Sequence, residues 1–588
     1  MIGKESAQSP KDSSDAAQAV IGKRKYPAWL IPVGLFAIPL LLFAIYFKVM
    51  FAGLVNPDAM DFAQLARNLG AGRGFTTYVL RPLALEGRID PSRLPDMTHG
   101  PLYPFILAIS FGVLGAKDTV AACISGFFYI ITVPVVYFFS KRLFNPTVAL
   151  ASAVLFTLNP LVLDYALSGL HVTLYIFLSS TLFLTLYQLS SLAKRNAGTP
   201  ANRINGNLLT LAGVISGALY LTDSAFFWMI PALIGAVAIM HPLNRARASV
   251  CFTASALIVM TPWMLRNGLA TGNPVFGLKG AEVWMNTQVY PGSSGYRLFS
   301  GEFVPDINLF NSILRKAMLG FNQILRTLPT ISIAWALAFF LPSLLFQFKD
   351  KSAESVRRIA LACFAALTLE MLFFSVQLPL FVGIMNVFMM FALAYVQHLI
   401  QQARLNRIGT FSFVGLLALT VIYPLINDMF LKDRPQPLRL SPTARDLGKM
   451  MAPGEICISD QPWVTAWYAN RPSAWIPAKD EKMAELRKRL PQTHWLYLTE
   501  QTKSFSPSWE YVYSSLNRWN TACIIADVQK APRPDEIVID GNGQPLPEAL
   551  SGFSSVAVPP VSNFPTGVVM AKMNTASAQN VVIPVSDH

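Results

Sequence analysis

Asp58 and Asp61 stand three residues apart in the stretch Asn56-Pro-Asp-Ala-Met-Asp-Phe-Ala-Gln-Leu-Ala-Arg-Asn-Leu-Gly70. Two carboxylates at that spacing are equipped for proton transfer. Asn56 can cap a helix, Pro57 suits its first position and Gly70 can end it. At about 100° per residue, Phe62, Leu65 and Leu69 make one apolar stripe, and both acids fall on the same side of the first turn. The segment reads as a short helix lying on a membrane surface, with the acids at the end of its greasy face. Acids in a first turn also complement the helix dipole. That accounts for their position along the helix but not for their side.

The chain that must position them is built for a bilayer. Of its 588 residues, 53% are hydrophobic and 14% charged, and the mean hydropathy is +0.42. Such a composition marks a polytopic membrane protein. The net charge of +14 does not point to nucleic acid, because the basic residues cluster in short pieces between apolar runs, as the positive-inside rule expects. Residues 432–588 carry 16 Lys and Arg against 15 Asp and Glu, so the one large polar region is nearly neutral.

Apolar runs near 29–47, 118–139, 147–163, 172–192, 207–222, 226–240, 249–264, 328–348, 358–376, 380–400 and 409–430 predict about 11 transmembrane helices. The piece from Pro101 to Gly115 is short of the roughly 20 residues a span needs. If it crossed, Lys141-Arg142, Lys194-Arg195, Arg245/Arg247, Lys349/Lys351 and Arg404/Arg407 would face outward. It is therefore expected to stay at the outer surface. Residues 1–27 read as a disordered cytoplasmic tail ending near Lys23-Arg24-Lys25, and 28–431 as the membrane domain. Two external loops, 51–117 and 265–327, and the C-terminal region 432–588 then share the outer side.

That last region is expected to be a small α/β domain, with strands at Ile456–Ser459, Trp495–Leu498 and Cys523–Ala526 and a helix over Asp480–Leu490. The tail from Gly541 is harder to place and reads as partly disordered or β. Cys123, Cys251 and Cys363 lie in apolar runs as packing residues. Cys457 and Cys523 could pair as a disulfide if the domain lies outside the cytoplasm. Trp463, Trp467, Trp475, Trp495 and Trp509 could stack on sugars, although core packing is the commoner use of such residues.

Four motifs, taken together, resemble a known family. An apolar span followed by Asn56-Pro-Asp58-x-x-Asp61-Phe-x-x-Leu-Ala-Arg67-Asn-Leu resembles the first external loop of GT-C glycosyltransferases. The branch is that of protein O-mannosyltransferases and the aminoarabinose transferase of lipid A. His99-Gly-Pro-Leu-Tyr-Pro104, Leu158-Asn-Pro-Leu-Val-Leu163 with Ser168-Gly-Leu-His171, and Pro262-Trp-Met-Leu-Arg266-Asn267 with Gly272-Asn-Pro-Val-Phe276 extend the likeness over roughly residues 50–276. The resemblance implies a GT-C fold and transfer of a sugar, with inversion, from a polyprenyl-phosphate donor to a cell-envelope acceptor. That acceptor is a glycolipid, a polysaccharide or a protein. It also implies a bacterial inner membrane, with the N-terminus cytoplasmic and the C-terminus extracytoplasmic.

Such chemistry needs a base for the acceptor hydroxyl and positive charge for the leaving phosphate. The family's catalytic acid falls on Asp58, with Asp61 as second choice or as a partner. Arg266 is the first candidate for the phosphate, a guanidinium being able to fork onto its oxygens, followed by His99, Arg67 and Arg81. His171, Asn267 and Tyr103 are candidates for substrate or a metal. Three positions depart from relatives: Ala59 where some carry Glu, His171 where many carry Glu, and Asp223 in a turn where many carry Arg. The oxygen-rich set expected for Mg2+ or Mn2+ is thereby incomplete, and a divalent cation stays an open expectation. Two other readings remain: a multi-span transporter or flippase of a lipid-linked substrate, and an inactive GT-C scaffold. The transporter is disfavoured by the scarcity of ionisable residues inside the spans, Glu370 excepted.

Overall fold

The computed structural model describes residues 29–85, 90, 93–196, 205–287, 289–302, 309–331, 333–404, 406–431, 440–530, 547–556 and 567–573. The expected tail over 1–27 lies outside them. Among the described residues six helices are long and apolar enough to cross a membrane: Leu30–Met50, Asp118–Leu143, Val172–Lys194, Arg245–Thr271, Leu378–Gln402 and Ile408–Leu431. Two bent pairs raise the number to eight if each is one crossing. One is Pro146–Thr157 with Pro160–Leu167, bent by 53°. It breaks because Pro160 has no N–H to continue the ladder, while Asn159 caps the second piece through the Leu161 N–H. The other, Phe310–Ile331 with Trp335–Ser343, turns by 104°. The protein is thus a mainly helical, integral membrane protein.

Leu102–Leu114 is a helix of 13 residues that stops at Gly115, whose φ of 83° suits glycine. At 1.5 Å per residue it reaches about 20 Å, short of a bilayer core of about 30 Å. The described residues within 265–302 are more ordered than their sequence suggests. The Arg245–Thr271 helix runs through Arg266 before ending at Gly272, and three short 3-10 turns follow, the first at Gly277–Val283.

The polar layer is built on a six-stranded sheet. In chain order its strands are β1 (Val79–Leu80), β2 (Ile456–Ser459), β3 (Ser473–Trp475), β4 (Thr493–Thr499), β5 (Phe553–Val556) and β6 (Val568–Met573). Their order across the sheet is β1-β3-β2-β4-β6-β5. β1, β3, β2 and β4 run parallel, and β6 and β5 close the far side antiparallel. The edge strand β1 comes from the segment 51–117 after the first long helix, about 400 residues before its neighbour β3. Part of the tail beyond Gly541 is therefore β, as β5 and β6.

Two expectations about this region are corrected. The run Cys523–Ala526 is not a strand but lies inside the helix Pro507–Gln529. Trp509, Val512, Leu516, Trp519, Cys523 and Ala526 are all buried at helical spacing, a periodicity wider than the four-residue run. Cys457 and Cys523 are both free. Side chains alternate along β2, so Cys457 packs with Leu447 and Trp495 on one face, while Ile456 and Ile458 pack with Cys523 on the other.

The sheet layer is fastened to the membrane layer by charged and aromatic groups. Asp118, at the start of the Asp118–Leu143 helix, accepts from the Trp467 indole at 2.7 Å and the Tyr468 hydroxyl at 2.9 Å. Arg297 donates to the carbonyls of Ile476 and Pro477. The first loop, the second loop and the C-terminal region thus fold as one layer.

Candidate functional site

Helix Pro57–Gly70 begins as the sequence suggests: the Asn56 side chain accepts from the Asp58 N–H at 2.8 Å, and Pro57 occupies the first turn. Its setting differs from the surface helix expected. Met60, Gln64 and Asn68 are as buried as Phe62 and Leu65, because the returning loop and the sheet layer cover its polar face. Gln64 accepts from the Tyr78 N–H and donates to Asp61 and Thr77. Asn68 donates to the Thr76 carbonyl.

Both acids of this helix reach a cavity of about 690 Å³ between the membrane helices and the sheet. Asp58 is exposed to it, and among the described residues its carboxylate makes no hydrogen bond or ion pair. Asp61 is only 3% exposed and is held fast: Arg81 donates to it at 2.5 Å and Gln64 at 2.7 Å.

Arg81 follows directly after β1, and His99 closes the same loop. Asp96 binds this group from behind, accepting from the N–H groups of Thr98 and His99 and lying 3.4 Å from the His99 ring and 3.8 Å from Arg81. Gly100 is required next to it, since a Cβ there would lie 2.4 Å from the Leu221 carbonyl oxygen. Burial opposes the charge on His99, yet the carboxylates of Asp61 and Asp96 prevail and raise its pKa. Burial likewise opposes Arg81, and the same two carboxylates outweigh it and hold its pKa above the ordinary value. Asp96 is desolvated too, but His99 and Arg81 keep it well below the usual carboxylate range.

A second group stands on the cavity wall. Asp223, capping the turn after helix Gly206–Thr222 through the Ala225 N–H, lies 3.3 Å from the His171 ring and 3.4 Å from the Lys279 ammonium. Neither nitrogen of His171 makes a hydrogen bond. Burial would raise Asp223, but Lys279 and His171 outweigh it and keep the carboxylate well below its usual range. Burial would lower Lys279, but Asp223, then Glu282 and Asp58, hold it above the ordinary lysine range. Lys279 and Glu282 sit on the 3-10 turn Gly277–Val283, which Lys316 clasps by donating to the carbonyls of Glu282, Val283 and Phe373.

Of the residues singled out in the sequence, Asp58, Asp61, Arg81, His99 and His171 line the cavity. Arg67, Arg266, Tyr103 and Asn267 stand outside its lining, with their polar atoms engaged elsewhere. Arg67, a candidate for the phosphate, donates to the carbonyls of Ala466 and Trp467 and lies over the Trp467 ring. The Arg266 guanidinium is taken by the Asp96 carbonyl at 2.6 Å and the Trp263 ring at 4.4 Å, so its fork is directed at the first loop. Asn267 accepts from Arg266. Tyr103 is fully buried and bonds Ser125 and the Gly169 carbonyl. The reading missed Asp96, Lys279, Glu282 and Tyr296. A signal for Asp96 was present, an acid three residues before His99. Lys279 and Glu282 offered only a base and an acid three apart beside Gly277 and Gly280.

Among the described residues no three His, Cys, Asp or Glu converge as ligands. Asp61 and Asp223, the best-placed carboxylates, face Arg81 and Lys279 instead.

The class defined so far is a membrane helical domain capped by an α/β layer, with a charged cavity at the junction. Comparison with known proteins agrees. Residues 98–265 match the family model described as dolichyl-phosphate-mannose-protein mannosyltransferase. No curated protein matches the sequence. Among solved structures, ArnT from Cupriavidus metallidurans bound to undecaprenyl phosphate aligns over 92% of this chain and 98% of its own, with a TM-score of 0.52 and 12% identity. The Archaeoglobus fulgidus oligosaccharyltransferase tethered to an acceptor peptide aligns over 81% of this chain and 70% of its own, with a TM-score of 0.52 and 14% identity. The archaeal oligosaccharyltransferase AglB of the same organism, in complex with an inhibitory peptide and a dolichol-phosphate, gives a TM-score of 0.50 at 12% identity. At these identities the likeness is one of fold. The resemblance to GT-C glycosyltransferases is borne out.

Proposed function

We propose that this protein is a glycosyltransferase that moves a sugar from a polyprenyl-phosphate donor to an acceptor at the outer face of a bacterial inner membrane, with inversion. The carrying observation is Asp58, a carboxylate open to the cavity that makes no hydrogen bond or ion pair with a described residue, beside walls whose other acids are already paired. In this reading the acceptor hydroxyl approaches Asp58, which takes its proton as the oxygen attacks the anomeric carbon. The bond from that carbon to the phosphate oxygen breaks, and the electron pair leaves with the lipid phosphate. Lys279 supplies positive charge that receives it, while Arg81 and His99, bound to Asp61 and Asp96, fix the geometry beside it. Asp61 orients Arg81, while Arg67, Arg266, Tyr103 and Asn267 hold the walls.

The topology belongs to the same proposal. The six long helices and two bent pairs, together with Gly206–Thr222, Ser224–Met240 and Lys351–Phe373, make eleven crossings. An odd number puts the two ends on opposite sides, and in this reading the basic loops between spans face the cytoplasm, which puts the N-terminus there and the sheet layer outside. The cavity, lined by both external loops and the C-terminal region, then opens where a lipid headgroup lies.

The test is transfer of labelled sugar from a panel of polyprenyl-phosphate sugars by the purified protein in lipid nanodiscs. Wild-type turnover, lowered on the order of 10²- to 10⁴-fold in Asp58→Asn, is the expected result. An Asp58→Asn enzyme as fast as wild type would remove the base from this position, and silence of folded wild type across the panel would overturn the donor class.

A further inference from the structure

The parallel half of the sheet aims at the cavity. Open α/β sheets bind ligands beyond the carboxyl ends of their strands, and three strand ends here deliver side chains to the lining. Arg81 follows β1, Trp475 ends β3, and Trp463 stands four residues past β2. Leu80 pairs in register with Ala474, so Arg81 and Trp475 follow on adjacent strands, whose spacing is about 4.8 Å.

The two indoles meet at 82° with centroids 5.4 Å apart, forming a corner. Trp475 is 6% exposed, and its indole N–H has no hydrogen-bond partner. A buried donor left unpaired costs on the order of 1–3 kcal/mol, and an indole can only donate. Three other tryptophans of the layer differ. The Trp467 N–H is bound by Asp118, that of Trp495 by Glu455 and that of Trp509 by the Pro477 carbonyl. Of these four indoles, the one whose N–H is unpaired sits on the cavity wall.

We infer that Trp463 and Trp475 form a subsite for a sugar ring, which packs its C–H face on the indole corner and accepts the Trp475 N–H on a ring or hydroxyl oxygen. A lipid tail has the apolar face but no acceptor, and a phosphate has the acceptors but no apolar face. A sugar ring has both. The inference rests on the transferase reading for its context, and the ring belongs either to the donor or to the acceptor.

The experiment uses full-length protein in lipid nanodiscs, with methyl glycosides of hexoses, N-acetylhexosamines and pentoses as probes in saturation-transfer NMR. Trp475→Phe keeps a ring and removes the N–H, and Trp463→Leu removes one face. Saturation of at least one glycoside is expected, with affinity about fivefold weaker in Trp475→Phe and at least about tenfold weaker in Trp463→Leu. No saturation with any glycoside, or equal affinity in wild type and both folded variants, would overturn the subsite. Kinetics separate the two sources. A raised KM for donor hydrolysis without acceptor assigns the ring to the donor, whereas a raised KM for acceptor alone assigns it to the acceptor. Saturation without turnover on any donor would leave the subsite standing and remove the transferase. Turnover with neither KM altered in the variants would do the reverse.

Discussion

Two charged groups stand at the cavity, and they are built differently. In the first, Asp61, Arg81, Asp96 and His99 are tied by short contacts to one another, to Gln64 and to backbone N–H groups. In the second, Asp223, His171 and Lys279 stand at 3.3–3.4 Å, and both ring nitrogens of His171 are left without hydrogen bonds. A saturated group has little to offer a ligand and fixes geometry. An unsaturated one keeps donors free. The first group holds the start of helix Pro57–Gly70 so that Asp58 projects into the cavity, and the second faces what enters.

The sharpest way to break this comparison is to remove Arg81. Arg81→Met leaves Asp61 and Asp96 buried without their cation, and losing one partner of a buried pair costs about 3–5 kcal/mol. A large fall in the melting midpoint and in folded yield is expected in detergent-solubilised protein. A variant that melts like wild type but turns over no donor would make Arg81 a ligand-binding group and erase the contrast.

The second group should answer in the opposite way. His171→Asn removes an imidazole whose nitrogens make no hydrogen bond but which lies 3.3 Å from Asp223 and packs against Phe62, so it should destabilise less than Arg81→Met, by about 1–2 kcal/mol. Turnover should still fall by about tenfold or more, by analogy with the loss of other polar groups facing a reacting centre. Unfolding on this substitution, with turnover intact in the folded fraction, would move His171 into the scaffold.

A smaller effect lies in the sheet. Asp460 follows β2, accepts from the Thr499 N–H and hydroxyl, and is pushed up to about 6 by burial. Its folded pKa exceeds the ordinary 3.8, so the protonated form is favoured on folding. The stability it contributes is complete below about pH 4 and lost as pH rises through 6. Relative to Asp460→Asn, wild type should therefore lose on the order of 2–3 kcal/mol between pH 4 and 6.5. Parallel stability curves for the two proteins across that range would show that the carboxyl is not carrying the proton.

How much of this was legible beforehand depended on the range of the interaction concerned. The cap at Asn56, the strand at Ile456–Ser459 and the span cores are local, and periodicity and cap chemistry exposed them. Arg266 looked like a phosphate ligand because it stands near the end of a span beside Asn267. Only packing reveals that the Asp96 carbonyl and Trp263 take its guanidinium. Arg67 misled for the same reason, since its partners lie 400 residues on. The Cys457–Cys523 pairing failed because strand alternation places the two thiols on opposite faces.

The sequence by itself determined that this chain crosses a membrane, that two acids open a helix after its first span, and that its motifs resemble those of GT-C glycosyltransferases in their order. Those features are written in composition, spacing and short motifs. The tertiary structure decided which acid is open and which is paired. It also decided that Lys279 joins the cavity and that β1 crosses from the first loop into the C-terminal sheet. These outcomes depend on contacts between segments hundreds of residues apart, where burial and pairing, rather than residue type, set what a side chain is free to do.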